Sequence, residues 1–326
     1  MTYTNVTGIS LPIAVWLAAD GYDFRPNGKS ISATALLKPV RQILLRERLT
    51  DENMETPDIS SYIASRLGHS IHDGIERAWK GDYAASLKLL GYPEKLIERV
   101  RVNPEPFELR ERNDIIPVWL EQRGSREIMG YTISGKFDMV LDGVIQDFKS
   151  TSVYSYMLGS KDEDYCLQGS IYRWIHQDKI VEDHINIQFI FTDWSKAQAR
   201  QNPKYPQQRV LEHRVELMSL EQTANWIKTR LKTLEKSALV DESDIPHCTD
   251  KELWRGATKY KFYLDPTKAS AGGRCTKNCD TMAEAQAYQA TKGGRGIIIT
   301  EPGLVKACGY CPAFPICTQK DLYEHG

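Results

Sequence analysis

Apolar positions along this 326-residue chain first recur with the period of a helix. In residues 31–47, leucine, isoleucine and valine return every three or four positions after Ser32, whose hydroxyl suits an N-cap, so the spacing predicts a helix kinked at Pro39. Residues 59–80 repeat the pattern and predict a second helix carrying His69, His72 and Glu76. The polar, proline-punctuated stretch 104–117 reads as a connector. From 129 to 149 the pattern changes to short runs rich in β-branched and aromatic residues, broken by Gly135 and the Asp142-Gly143 pair, which predicts a β-meander. Helical period returns at 162–177, and residues 185–194 alternate and then run apolar like a buried strand. Residues 196–214, with Pro203 and Pro206, read as a polar loop, and 219–239 as a helix opened by the capping box Ser219 and Gln222. Strands flanking a helix predict an α/β core. The cysteine-rich remainder reads as mostly irregular, in need of something other than a core to hold it.

Composition narrows the class. Hydrophobic residues at 41%, charged at 26% and aromatic at 10% suit a globular chain and exclude disorder, collagen-like repeats and coiled coil. The apolar stretch 11–19 is too short to span a bilayer and has no basic flank, so the expectation is a soluble cytoplasmic protein with no membrane partner. With 42 Lys and Arg against 43 Asp and Glu, no global field draws the chain to nucleic acid. Residues 251–306 carry a local surplus, ten basic against five acidic, which reads either as a binding surface or as a solvated face. The seven cysteines begin only at Cys166, and an odd number without a secretion signal points to metal ligation rather than a disulfide framework.

The most specific chemistry lies in the meander. An Asp-Gly pair between alternating runs is a strong signal for a two-residue type I′ hairpin, which wants positive φ at both central positions. With Asp142 and Gly143 as that turn, Met139 faces Gln146 and Asp138 falls opposite Asp147, with Lys149 on the same face and Phe137 and Phe148 on the other. Two directly opposed carboxylates repel, and a chain that keeps them has use for a hard cation such as Mg²⁺ or Mn²⁺, or for a shared proton. The alternative is a solvated hairpin whose acids meet water. Gln168 and Tyr172, four apart, share one face of the next helix, as His72 and Glu76 share one face of an earlier one.

In that order and spacing, these residues resemble the PD-(D/E)XK nuclease superfamily, in its RecB-like branch, and within it the phage exonucleases related to the iron-sulfur nucleases of CRISPR adaptation. The resemblance rests on His72 with Glu76, Asp138 in GKFD, Asp147-Phe148-Lys149, and Gln168 with Tyr172, and spans residues 30–320. It implies a restriction-endonuclease-like core, a mixed central sheet flanked by helices, with a helical N-terminal part. It further implies that His72, Asp138, Asp147 and the Phe148 carbonyl hold one or two Mg²⁺ or Mn²⁺ ions. Lys149 would orient or help deprotonate the attacking water, Gln168 and Tyr172 would position the strand or support the metal site, and Glu76 would fix the tautomer of His72. The implied activity is a deoxyribonuclease working at the ends of linear DNA in phage recombination or DNA processing, in a host cytoplasm, with phage recombination proteins as candidate partners. A non-catalytic nucleic-acid-binding or adaptor protein with the same fold is the alternative.

Cys308, Cys311 and Cys317 form a C-x2-C-x5-C array, a metal signature that lacks a fourth ligand. In the iron-sulfur nucleases the fourth is an N-terminal cysteine, which this chain does not have. A cysteine-threonine pair ahead of an acidic-leucine-tryptophan stretch in the phage relatives matches Cys248-Thr249 and nominates Cys248, with Cys275 and Cys279 as competitors. The expected occupant is a [4Fe-4S] cluster, with zinc as alternative; a zinc ribbon joined to an unrelated α/β domain would also carry such an array. The expected organisation is a nuclease core over 1–240 and a Cys-rich segment over 241–326, packed back on it.

Overall fold

The computed structural model describes residues 3–19, 29–54, 56–158 and 161–323. The chain divides into two units: Met1–Leu37 with Thr56–Lys232, and Lys38–Glu55 with Thr233–Gly326.

The first unit is mixed α/β. Its main sheet is built from β2 (Val100–Val102), β3 (Ile116–Leu120), β6 (Met139–Leu141), β7 (Val144–Thr151), β8 (His184–Phe191) and β9 (Val210–Glu216), side by side in that order. β2 with β3 and β7 with β8 are parallel; the other neighbours are antiparallel. A smaller sheet places β5 (Tyr131–Lys136) between β1 (Ser30–Ser32) and β4 (Arg123–Ile128). The helix Asp162–Ile175 packs on β5 and β8, and the helix Ile63–Lys80 on β7. The second of these docks through Ile75 and Trp79 onto a core of Val100, Val118, Leu120 and Met139, leaving its one-turn-earlier His72 over the sheet. Among the described residues no helix is long and apolar enough to cross a membrane.

The β6–β7 hairpin has the expected register, Met139 with Gln146 and Leu141 with Val144, and both turn residues take positive φ, 48° at Asp142 and 84° at Gly143. Residues 31–47 depart from the expectation of one kinked helix. Ser32 caps a short helix, Ala33–Leu36, and a separate helix, Val40–Glu47, starts after Pro39. A proline supplies no N–H and disfavours helical geometry in the residue before it, so the chain breaks rather than bends. The stretch 196–214 is not a loop throughout: Ser195 caps a helix, Lys196–Gln201, and β9 follows. β9 is an edge strand, and its charged outward residues obscure the alternation. The connector at 104–117 contains the helix Pro106–Glu111 and the start of β3.

The second unit is also more regular than its composition suggests. β10 (Lys259–Tyr263) lies between β11 (Lys277–Cys279) and β12 (Ile297–Glu301), beside the helix Met282–Thr291. Phe262 is fully buried there. Lys259 pairs with Asp280 at 2.5 Å, Lys261 with Glu301 at 2.6 Å and Lys277 with Glu284 at 3.0 Å, so three of the ten basic side chains of 251–306 are engaged by acids of the same stretch.

Candidate functional site

The hairpin delivers Asp138, at the entry of β6, beside Asp147 and Lys149 on β7. The Phe148 N–H donates to Asp138 Oδ2 at 3.2 Å, which fixes the carboxylate against the neighbouring strand. Asp147 is 2% exposed, and its Oδ2 lies 2.7 Å from Lys149 Nζ. From the helix above, His72 sets Nε2 2.9 Å from the Phe148 carbonyl oxygen and Nδ1 3.4 Å from Asp138 Oδ2. A ring nitrogen facing a carbonyl must carry the proton, so the other faces the carboxylate. His72 is therefore oriented by Asp138 and Phe148. Glu76 pairs with Lys80 at 2.6 Å, and the Phe148 carbonyl is the partner that sets which ring nitrogen of His72 carries a proton.

Electrostatics follow from burial and crowding. The hydrogen bond to Asp138 raises the pKa of His72 against the opposing effect of burial. Burial pushes Asp138 up, but His72 and Lys149 outweigh it and hold the carboxyl below its usual range. In Asp147 burial wins, and its carboxyl titrates above the ordinary range despite Lys149. Lys149 is held up by Asp147 and Asp138 against its own burial, so it stays an ammonium. Two neighbouring acids pushed in opposite directions beside a fixed cation mark a candidate functional site.

Glu121 joins the group, and no local pattern points to it. It follows β3 with φ of 51°, uncommon for a residue with a side chain, and its N–H donates to the Asp138 carbonyl at 2.9 Å. Ligand atoms of His72, Glu121 and Asp138 lie within 4.8 Å of one another. Burial raises the Glu121 carboxyl, while Lys136 at 2.6 Å works against that rise. Only the β3–β6 pairing brings Glu121 here, and no local spacing encodes it.

Gln168 and Tyr172 reach the same place from the helix Asp162–Ile175. Gln168 Nε2 donates to the Tyr172 hydroxyl at 3.1 Å and to Asp147 Oδ1 at 3.4 Å. All of these side chains line one cavity of about 580 Å³, together with Arg66, His69, Arg123, Lys136 and Ser134. That volume is in the range of pockets that hold a ligand rather than a single ion. The donor set, three carboxylates, one imidazole and the Phe148 carbonyl, fits a hard divalent cation such as Mg²⁺ or Mn²⁺.

In the second unit, Cys248, Cys308, Cys311 and Cys317 line a common recess of about 40 Å³, walled by Leu45, Leu253, Ala313 and Phe314. Successive tight turns, closed by Cys311 N–H to the Cys308 carbonyl at 3.1 Å and Cys317 N–H to the Phe314 carbonyl at 3.4 Å, gather the last three. Gln319, 2% exposed, holds Cys248 from both sides, accepting from its N–H at 2.8 Å and donating to its carbonyl at 2.9 Å. Cys275 donates to Asn278 and Cys279 is buried on β11, and neither lines the recess. Burial pushes the Cys248 thiol up to about 12 and raises Cys308 and Cys311 as well. The recess brings four sulfur donors to one place, with the Arg41 guanidinium against Cys317, and such a donor set fits a thiolate-bound metal centre.

No family model and no curated protein matches the chain. Among solved structures it is similar to the crystal structure of SSO0001, at 15% identity and a TM-score of 0.38, over 64% of this chain and 78% of that one. It is also similar to a phage-related exonuclease from Haemophilus somnus 129PT, at 15% identity and a TM-score of 0.25, over 61% of this chain and 92% of that one. Likenesses this distant do not assign a function.

Proposed function

We propose that the chain is a divalent-cation-dependent nuclease that hydrolyses phosphodiester bonds at the ends of linear DNA. The observation that carries this reading is the convergence of His72, Glu121, Asp138, Asp147 and Lys149 on one cavity. His72, Asp138, Asp147, Glu121 and the Phe148 carbonyl would hold the ion or ions. A bound Mg²⁺ or Mn²⁺ supplies Lewis acidity toward the phosphoryl oxygen and lowers the pKa of coordinated water. Lys149, kept cationic by its two acidic neighbours, donates hydrogen bonds that orient the attacking water or the phosphate rather than removing a proton. Gln168, tethered to Asp147 and Tyr172, positions the strand from the opposite wall. Arg66, Arg123 and Lys136 line the cavity and balance the charge of the DNA backbone.

The four cysteines of the second unit would hold a [4Fe-4S] cluster, with zinc as the alternative. Such a saturated site has no open position, so its part is to organise the unit rather than to take part in hydrolysis.

The test is digestion of linear and closed-circular DNA with Mg²⁺, Mn²⁺ or chelator. Cleavage of linear DNA should require the cation, and Asp147→Asn should lower it by more than the roughly 10–100-fold that outer partners of a metal site cost. Cleavage retained in Asp147→Asn rules out this site. Equal digestion of closed circles rules out the requirement for ends.

A further inference from the structure

We infer that Arg41 is a positioning residue of the cysteine centre, donating to one of its ligand sulfurs and setting its direction. The inference rests on the reading of the four cysteines as a metal site. Arg41 is 1% exposed and is among the largest fully buried side chains of the described residues. It leaves the helix Val40–Glu47 and lines the recess of Cys248, Cys308, Cys311 and Cys317. Its Nε–H donates to Cys317 Sγ at 3.3 Å. Nη1 donates to the carbonyls of Glu242 at 3.1 Å and Ile245 at 2.9 Å, Nη2 to Thr318 Oγ1 at 3.4 Å, and the guanidinium pairs with the Glu242 carboxylate.

Burying a guanidinium is costly unless its charge and its N–H groups are met. The two carbonyls, Thr318 and Glu242 account for one edge of the fork, and the Nε–H remains for the sulfur. Four thiolates around either Zn²⁺ or a [4Fe-4S] core leave net negative charge in a recess of apolar walls. A fixed cation against one of the sulfurs offsets that charge, and its N–H fixes the direction of a lone pair, as outer partners do for metal-bound side chains. The same side chain ties residues 38–55 to the C-terminal cysteines within this unit.

The experiment compares wild type, Arg41→Lys and Arg48→Lys as full-length chains purified without oxygen. Iron, sulfide and zinc contents are measured with the sulfur-to-metal charge-transfer absorbance, and metal release to excess chelator is timed. Lysine keeps the charge at position 41 but cannot serve the sulfur and both carbonyls at once. Arg48 lies just past the same helix and donates to the carbonyls of Ala238 and Val240, at 3.1 and 2.9 Å, so its substitution reports on anchoring alone. The expectation is release about 10–100-fold faster from Arg41→Lys, with an altered absorbance band, and wild-type behaviour in Arg48→Lys. Wild-type release from Arg41→Lys overturns the inference, as does equal acceleration in both variants. A measurement on the wild type covers the case in which Arg41→Lys does not fold. In the Cd²⁺-reloaded chain an arginine Nε proton should show scalar coupling to the metal through sulfur, and its absence also overturns the inference. A wild-type chain holding neither iron nor zinc refutes the cysteine centre itself and leaves the nuclease reading untouched.

Discussion

Glu121 illustrates what single residues reveal and conceal. Asp138, Asp147 and Lys149 were legible because an Asp-Gly turn fixes a short-range register, and the hairpin has that register. Glu121 was not, because it meets Asp138 only through the pairing of β3 with β6, which joins Val118 to Leu141 across 22 intervening residues. Glu76, expected to serve the ring of His72, has an ion pair with Lys80 one turn on. If Glu121 faces the cation, Glu121→Gln should weaken Mn²⁺ binding, followed by calorimetry, about 10–100-fold while leaving the melting temperature within a few degrees. Unchanged Mn²⁺ affinity would confine Glu121 to its ion pair with Lys136. The choice of Cys248 over Cys275 and Cys279 came from a resemblance rather than from spacing, and the recess supports it by gathering Cys248 with the other three.

At the scale of elements, the long periodic segments were the readable ones. The helix Leu220–Ala238 opens on the expected box, Ser219 N–H to Gln222 Oε1 at 2.9 Å and Gln222 N–H to Ser219 Oγ at 3.1 Å. The second unit was misread as irregular because its three strands are three to five residues long and carry lysines whose partners lie on other elements. The turn of the β6–β7 hairpin has no room for a side chain at Gly143, where a Cβ would collide with Val181 Cγ2 and the φ of 84° is itself unfavourable. Gly143→Ala should therefore cost at least about 1–2 kcal/mol in denaturant unfolding. It should lower cleavage too, since the same turn sets the two acids. At the end of the helix Asp162–Ile175, His176 is 5% exposed, its ring against Phe137 and Nε2 3.3 Å from the Gly135 carbonyl. Burial lowers its pKa, so the unfolded chain takes up a proton near its ordinary value of about 6.5 before the folded one does. Stability from this residue is thus complete above that pH and declines on acidification until the folded ring also titrates. Thermal melts between about pH 7.5 and 5 should fall more steeply for wild type than for His176→Gln; parallel curves would remove His176 as a source of acid sensitivity.

At the scale of the whole molecule, the chain makes its second unit from two pieces, Lys38–Glu55 and Thr233–Gly326. No periodicity marks such an excursion, because each helix reads the same whichever unit it joins. The metal centre proposed for the four cysteines of the second unit implies that stripping it should lower the melting temperature, by several degrees for each kcal/mol lost. A chelator that leaves the melting curve unchanged would argue against a structural duty. The excursion also has a consequence for how the protein is made. Arg41 and Cys317 are 276 positions apart, so at about 5–20 residues per second a ribosome releases the arginine roughly 14–55 s before the sulfur it serves. Throughout that wait the nascent helix has a charged group with no permanent home, and any stop codon upstream of the cysteines would leave it stranded.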